Sequence, residues 1–328
     1  MFAPDPHQTR ATGGNDGMEP TWGALLSAAR LARRGQNLEE GGAYGLDASG
    51  ALSPVPAGDP HALMVWQPPD GWIRSAHAPP GAHALLDLYL PICKASPESP
   101  LTVGHLGQGL DGYIATSSGD SNYVTGQENI LHLHRMRALC DAVMVGAETV
   151  VADDPRLTTR RAAGDNPVRV ILDPQRRLAS THRVFSDGEA PTLLVCDQAR
   201  VAKIQERRAA AEVVGIPLHA GRLDLEALLR ELHARGLVSV FVEGGGNTVS
   251  TFLEAGLLDR LQVAIAPLVT GAGRPGIRLA GRQSLKECLR PPHRIFSMGD
   301  DILFDCDLGA DARASGAQPT ATGLRRIL

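Results

Sequence analysis

The chain has 328 residues, which is longer than one typical domain and enough to bury a sizeable core. Apolar residues make up 43% and charged residues 21%, and the net charge of −4 provides no basic field for nucleic acid. We therefore expect a globular protein whose partners do not include nucleic acid.

The cysteines and the N-terminus indicate the compartment. The five cysteines are odd in number, widely spread and never in CxxC spacing, which favours reduced thiols over disulfides or a zinc site. The first residues, MFAPDPHQTRATGGNDG, lack the apolar run of a secretory signal, and no later stretch is long enough to cross a bilayer. We predict a soluble, cytoplasmic protein without a membrane partner.

The chain divides into three segments by composition. Residues 1–97 are rich in Gly, Pro and Ala and contain two helical candidates, WGALLSAARLARRG and AHALLDLYLPICKA. We predict a partly helical N-terminal extension of unknown role. Residues 98–308 form the second segment, and residues 309–328, which are small and polar, are predicted to be a disordered tail.

From Leu101 onward, short apolar runs alternate with helical patterns. The runs are LTVGHL, AVMVGA, VRVILD, TLLVC, VSVFVE and LQVAIAP. This alternation predicts an α/β fold with a mostly parallel central sheet. In HRIFSMGDDILFDCDL, two alternating runs flank Gly299-Asp300-Asp301, which predicts a C-terminal antiparallel hairpin.

The stretch VFVEGGGNTVSTFLEAGLLD, Val240–Asp259, runs from an apolar strand into a carboxylate, three glycines and a helix. Ligands of α/β sheets bind at the carboxyl ends of strands, where helix N–H groups attract anions and glycines let a phosphate approach closely. The stretch matches neither GxGxxG nor a P-loop, however. A glycine-rich turn with a solvated glutamate explains it equally well.

Two other segments are too polar for a core. GHLGQGLDGYIATSSGDSNYVTG, Gly104–Gly126, is dense in hydroxyls after a strand and suits either a polar-ligand loop or a surface turn. GAETVVADDPRLTTR, Gly146–Arg160, places Asp153 and Asp154 at a helix C-terminus, against the macrodipole. That placement indicates either a binding role or a solvated turn before Pro155.

These three segments, in this order, closely resemble the reductase domain of the bacterial riboflavin-biosynthesis deaminase–reductase family. The resemblance covers about residues 101–307 and rests on LDG, GDSNYVTG, RMRALCDAVMVGAETVVADDPRLTTR and VEGGGNTVSTFLEAGLLD. It implies a three-layer, dihydrofolate-reductase-like fold, a homodimer, and hydride transfer from NADPH to C1′ of a ring-opened ribosylamino-pyrimidine phosphate, without a metal. The zinc signature HxE…PCxxC of the deaminase half is missing.

The resemblance also implies roles for individual residues. The catalytic residues would be His105, Asp153 and Glu243. The cofactor residues would be Gly107, Tyr123, Thr149, Asp153, Gly245, Gly246, Asn247, Thr248, Val249, Ser250 and Thr251. The substrate residues would be Ser121, Arg137, Leu157, Arg160 and Glu243.

Helical spacing supports part of this assignment. Arg137 follows Ile130 by seven residues and so lies on nearly the same helix face, which predicts that it points inward. Arg137 and Arg160 are then predicted to clamp a substrate phosphate, with Glu243 reading the pyrimidine edge; solvated arginines are the alternative. His132 and His134, which point about 200° apart, are predicted to lie at the surface and edge of the helix.

Two positions depart from the family pattern. His105 replaces a common lysine and is either a proton donor or a buried structural histidine. Pro174 replaces a common hydroxyl residue near the cofactor ribose, which leaves NADH open beside NADPH. The alternatives are therefore a reductase of another heterocycle in a specialised pathway, or a non-catalytic nucleotide-binding module.

Overall fold

A computed structural model describes residues 18–35, 38–122, 124–202 and 206–309. Tyr123 and the predicted tail from residue 310 onward lie outside these residues. The helices are α1 Met18–Arg33, α2 His83–Tyr89, α3 Gln127–Leu139, α4 Ala147–Asp153, α5 Arg183–Ser186, α6 Leu225–Ala234 and α7 Gly246–Glu254. Short 3-10 turns span Pro80–Ala82, Gln198–Arg200 and Leu285–Glu287.

The strands fall into one large sheet and three small ones. They are β1 Ala43–Leu46, β2 Leu52–Val55, β3 Ala62–Gln67, β4 Gly71–Arg74, β5 Leu101–Gly109, β6 Tyr113–Thr116, β7 Ala142–Gly146, β8 Val168–Leu172, β9 Thr192–Asp197, β10 Arg207–Arg208, β11 Ala211–Ile216, β12 Leu218–His219, β13 Arg222–Leu223, β14 Ser239–Glu243, β15 Arg260–Ala266, β16 Gly273–Pro275, β17 His293–Met298 and β18 Asp301–Asp307.

The large sheet has ten strands in the order β10-β11-β9-β8-β7-β14-β5-β15-β18-β17. Every neighbouring pair from β11 to β15 is parallel. The β17–β18 hairpin adds two antiparallel strands beside β15, and β10 is antiparallel at the opposite edge. The predicted parallel α/β sheet and C-terminal hairpin are confirmed.

Helices cover both faces of this sheet. In β7, Val143 belongs to one buried apolar cluster and Met144 to a second, because successive side chains of a strand point to opposite faces. The first cluster includes residues of α1, α2 and α3, and the second includes residues of α6 and α7. The result is the three-layer, dihydrofolate-reductase-like architecture that the resemblance implied.

The N-terminal region packs against the reductase sheet. Beside α1 and α2 it contains a four-stranded antiparallel sheet in the order β2-β1-β3-β4, which the sequence did not predict. Trp22, Leu25 and Tyr89 of this region share one buried cluster with Val103 and Phe241 of the large sheet. Residues 18–97 and 98–308 are therefore joined by a continuous hydrophobic core.

Two remaining features concern compartment and chemistry. None of the five cysteines is disulfide-bonded. Over the ranges that the structure describes, no helix combines the length and hydropathy needed to span a bilayer.

Candidate active site

A cleft of about 290 Å³ opens at the carboxyl ends of three adjacent strands, β7, β14 and β5. Glu243, the last residue of β14, is paired in register with His105 of β5. Gly146 ends β7 on the other side. Ligands of parallel α/β sheets bind at this end of the strands, so the topology alone places the candidate site here.

The glycine turn after Glu243 forms one wall of the cleft. Gly244 and Gly245 have positive φ values of 71° and 65°, a region that glycine adopts without strain. A Cβ on Gly245 would lie 2.8 Å from Oγ1 of Thr149. Helix α7 begins directly afterwards without a side-chain cap hydrogen bond, so its first-turn N–H groups suit an anion.

The predicted cofactor residues separate into two groups. Those that line the cleft are Gly107, Thr149, Asp153, Gly245, Gly246 and Asn247. The later residues of α7 do not: Val249 is fully buried in the core, and Oγ of Ser250 accepts the backbone N–H of Arg278 at 2.8 Å. The hydroxyl of Thr251 donates to the Asn247 carbonyl at 2.8 Å, and Thr248 is also absent from the cleft wall. Of the predicted cofactor residues in α7, only those at the start of the helix line the cleft.

Arg137 and Glu243 form a buried, bidentate ion pair. Arg137 is only 8% exposed, so the prediction that it points inward is confirmed. Its Nε donates to Oε2 of Glu243 at 2.7 Å, its Nη2 donates to Oε1, and its Nη1 donates to the Thr158 carbonyl at 3.1 Å. The guanidinium fork is therefore committed to Glu243, not left open as half of a two-arginine phosphate clamp.

Arg160 lies outside this pair. Its Nη1 donates to Oγ1 of Thr158 at 2.6 Å, and its side chain is exposed without lining the cleft. Burial, together with the nearby Arg137 cation, lowers its pKa. Leu157, which does line the cleft, is buried with a positive φ of 56°. This backbone turn sends the chain from the cleft wall toward the exposed rim.

The two neighbouring aspartates have different surroundings. Asp153 lines the cleft and accepts a hydrogen bond from Ser121 at 3.3 Å. Partial burial raises the pKa of Asp153, while Ser121 and the Arg274 cation act in the opposite direction. Asp154 caps α4 in the left-handed conformation and accepts the Arg183 backbone N–H at 2.8 Å. Asp153 therefore belongs to the site, and Asp154 holds the start of α5.

His105 is a neutral, buried member of the cleft wall. The amide of Asn129 donates to Oγ1 of Thr125 at 2.9 Å, which turns its Oδ1 toward Nε2 of His105 at 3.0 Å. Because a carbonyl oxygen only accepts, Nε2 must carry the proton. Burial lowers the pKa of His105 to about 4, although Asn129 and Glu243 oppose this shift. At neutral pH, His105 is thus not a charged proton donor.

The prediction that His132 and His134 lie at the helix surface and edge is wrong. They are 1% and 3% exposed, because α3 is enclosed by the sheet and by the N-terminal helices. Burial lowers the pKa of His132 to about 3 and that of His134 to about 4. His134 accepts the Arg160 backbone N–H at 2.9 Å and so holds the loop after α4.

His132 joins the N-terminal region to the cleft wall. Its Nε2 lies 2.9 Å from Oε1 of Gln262, and its Nδ1 lies 2.8 Å from the hydroxyl of Tyr89 in α2. Gln262 donates its amide to Asp305, so Nε2 carries the proton and Tyr89 donates to Nδ1. The His132 ring packs on His105, with 5.4 Å between centroids.

Comparison with known proteins identifies the family. The family model described as the RibD C-terminal domain matches residues 103–298, which is more than half of the chain. The chain belongs to this family. The resemblance to the riboflavin-biosynthesis reductases is thereby confirmed, and the matched segment contains every residue that lines the cleft.

Two relatives of this RibD C-terminal domain differ in how much of their own length is matched. The 2,5-diamino-6-ribosylamino-4(3H)-pyrimidinone 5′-phosphate reductase of Methanothermobacter thermautotrophicus is 38% identical over 214 residues, or 63% of this chain and 97% of that protein. The riboflavin biosynthesis protein RibD of Aquifex aeolicus is 32% identical over 211 residues, but the chain spans only 57% of its length.

A solved structure has the same fold. The Thermotoga maritima diaminohydroxyphosphoribosylaminopyrimidine deaminase/5-amino-6-(5-phosphoribosylamino)uracil reductase is 27% identical to this chain, with a TM-score of 0.52. The superposition covers 68% of this chain and 60% of that protein.

Some cleft residues of this RibD C-terminal domain were not singled out from its sequence. Asn129 fixes the His105 tautomer, and Glu148 accepts from the Asn247 amide at 3.0 Å. Arg274 and Arg278 also line the cleft. An isolated arginine outside a helical pattern has no distinguishing sequence signal. Asn129, in contrast, lies one helical turn from His132 and could have been noticed as part of a buried polar stripe.

Proposed function

We propose that this chain is an NADPH-dependent reductase that transfers hydride to C1′ of a ring-opened ribosylamino-pyrimidine phosphate, a reaction of riboflavin biosynthesis. The observation that carries the proposal is the 38% identity over 97% of a pyrimidinone 5′-phosphate reductase. Within the matched region, the Glu243 carboxylate and the Gly245 turn lie side by side at one cleft. A heterocycle and a phosphate group are the two ligand features that these walls suit.

The cleft fits a reduced nicotinamide cofactor. Gly245 packs closely against the Thr149 hydroxyl, and α7 begins directly after it without a side-chain cap, so the first-turn N–H groups of α7 suit a phosphate. Pro174 follows β8 and does not line the cleft, so its missing hydroxyl is no argument against a 2′-phosphate there. When bound, the cofactor supplies the hydride, and the protein supplies binding, orientation and electrostatics.

Glu243 is the residue that orients the pyrimidine. Arg137 donates to both of its carboxylate oxygens, which fixes the carboxylate plane in a partly buried place. Each oxygen keeps a second lone pair that accepts an N–H of the ring. Ser121 and Leu157 form other parts of the cleft wall, and Arg160 at the rim faces the substrate phosphate in this proposal.

The reduction needs a proton as well as a hydride. As the hydride adds to C1′ of the open-chain imine, the C=N electron pair moves to nitrogen, which takes a proton. His105 is neutral and its Nε2–H is engaged by Asn129, so we assign the proton to Asp153, whose pKa is raised by partial burial. Replacing Asp153 by Asn should then lower turnover while cofactor binding is retained.

The proposal also covers state and location. We infer a homodimer in the cytoplasm, on the strength of the family resemblance and of the five free cysteines. Light scattering of the purified chain gives the oligomeric state directly, and a monomeric mass at micromolar concentration would remove the dimer from the proposal.

The activity assay is a direct one. Purified protein is mixed with NADPH and the deaminated ribosylamino-pyrimidine phosphate or its 2,5-diamino analogue, and absorbance of the reduced nicotinamide is followed. We expect oxidation with one of the two and a ribitylamino product by mass spectrometry. Absence of oxidation with both substrates, by protein that still binds NADPH, would falsify the substrate assignment.

A further inference from the structure

The cleft contains two arginines that the reductase family assignment does not explain. Arg274 and Arg278 lie on the segment that follows β15, and both line the cleft with exposed side chains. Within the described ranges neither guanidinium forms an ion pair or a side-chain hydrogen bond. Arg137, in contrast, is committed to Glu243, and Arg160 lies outside the cleft wall.

Arg278 is held beside the first turns of α7. Its backbone N–H donates to Oγ of Ser250 at 2.8 Å. The preceding segment touches the start of the helix, since a Cβ on Gly246 would lie 2.7 Å from the Pro275 carbonyl. The Arg278 backbone is therefore held against α7, and its side chain lines the same cleft as the uncapped N-terminus of that helix, whose macrodipole is positive at this end.

Arg274 lines the same cleft from the β6–β16 ribbon. It lies in β16, which pairs with β6, and its guanidinium rests against Gly119, where a Cβ would come within 2.7 Å of Nη2. Its charge is near enough to Asp153 to oppose the burial that raises the pKa of that carboxyl. Asp153 is hydrogen-bonded to Ser121 and forms no ion pair with Arg274 in the described residues.

We propose that Arg274 and Arg278 form a phosphate anchor, which binds a phosphate group of the dinucleotide or of the substrate between the α7 N-terminus and the β6–β16 ribbon. The inference rests on the proposed function for the identity of the ligand. A guanidinium offers a planar fork that matches phosphate oxygens, and two such groups with free donors face one cleft. The nearby glutamates do not pair with these two arginines, because Glu148 is bound by Asn247 and Glu243 is bound by Arg137.

Charge-removing variants test the anchor. Dissociation constants for NADPH and NADH, and the KM of the pyrimidine phosphate, are measured for wild type, Arg274→Gln, Arg278→Gln and the double variant. The control is Arg282→Gln, an exposed arginine four residues after Arg278 that does not line the cleft. Because all of these side chains are exposed, the variants should fold like wild type, which thermal unfolding checks.

The pattern of loss identifies the phosphate. For each single variant we expect about a tenfold rise in the dissociation constant or KM of the ligand whose phosphate is bound, which is the size of one charge-assisted contact. Weaker binding of NADPH alone would show that the anchor binds the 2′-phosphate, and equally weaker binding of both nucleotides would show that it binds the diphosphate. A raised KM for the pyrimidine alone would show that it binds the substrate phosphate. Values within twofold of Arg282→Gln for all three ligands would overturn the anchor.

A separate arm keeps the two proposals distinguishable. If wild-type protein binds neither nucleotide, the proposed function fails, and titration with pyrophosphate then decides the anchor. Pyrophosphate binding that the double variant loses supports the anchor on its own. Equal binding by wild type and the double variant, or no binding by wild type, overturns it.

Discussion

The pairing of Glu243 with Arg137 determines what each residue can do. The two residues are 106 positions apart, so their contact depends on the packing of α3 against β14. Helical spacing predicted the inward direction of Arg137, but no local pattern indicates which acid it meets. The carboxylate therefore reaches the cleft already oriented, and the arginine acts through it.

Replacing Glu243 by Gln tests this coupling. The change leaves the Arg137 cation buried without a full charge partner, so we expect a loss of about 3 kcal/mol in the free energy of unfolding and loss of turnover. Urea unfolding and the NADPH oxidation assay measure the two effects. In the double variant Glu243→Gln, Arg137→Met, stability should recover in part while turnover does not; recovery of turnover would contradict the role of the carboxylate.

At the scale of elements, most of the large sheet could be predicted and the small N-terminal sheet could not. Runs such as AVMV, residues 142–145, are apolar throughout because parallel strands are buried on both faces, and each predicted run is a strand in the structure. β1 and β2 have four residues each and contain Gly45 and Pro54, which break the apolar pattern. α3 was misjudged because the N-terminal region covers the side that would otherwise be exposed.

The α7 turn supplies a matched pair of glycines. Both Gly244 and Gly245 have positive φ, but a Cβ on Gly244 meets nothing within 4 Å, whereas one on Gly245 would lie 2.8 Å from Thr149. Alanine at either position carries similar backbone strain of about 1 kcal/mol. We expect Gly245→Ala to weaken NADPH binding at least tenfold and Gly244→Ala to weaken it much less. Calorimetry compares them, and equal affinities would speak against a phosphate seat at Gly245.

At the scale of the whole molecule, the N-terminal region belongs to the architecture of the site. Tyr89 of α2 donates to His132, which packs on His105 in the cleft wall. The family match begins at residue 103, so neither the family nor a local pattern predicts this contact. The docking of residues 18–97 on the sheet had no sequence signal because it depends on apolar residues distributed over α1, β1, β3, β4 and α2.

Tyr89→Phe removes the hydrogen bond to His132 and keeps the ring. We expect a several-fold lower kcat with an unchanged KM for NADPH, because the cofactor wall is untouched while the His105 support is loosened. The control is Tyr44→Phe, a buried tyrosine of the same region that packs on Trp72. Equal kcat values for the two variants, with equal pH profiles, would show that Tyr89 has only a structural role.

Folding stability should depend on pH through the buried histidines. His105, His132 and His134 have folded-state pKa values of about 4, about 3 and about 4, below the ordinary value of 6.5. The unfolded chain therefore binds protons first, so the stability present above pH 6.5 is lost as pH falls toward 4. At pH 5 each histidine should cost on the order of 2 kcal/mol.

Urea unfolding at pH 7.5 and pH 5 measures this difference. In His132→Gln, which lacks one of the three groups, the loss of unfolding free energy between the two pH values should shrink by roughly a third, whatever the absolute stability of the variant. If the variant loses as much unfolding free energy between pH 7.5 and pH 5 as wild type does, the buried histidines do not control the pH dependence.

The central claim is that the cleft beside Glu243 and the Gly245 turn holds a reduced nicotinamide cofactor. Calorimetric titration of the full chain with NADPH tests it most directly, with Gly245→Ala as the blocked comparison. The account predicts one site per chain with a micromolar dissociation constant that the variant weakens. Absence of binding at millimolar NADPH and NADH, or binding that Gly245→Ala leaves unchanged, would contradict it.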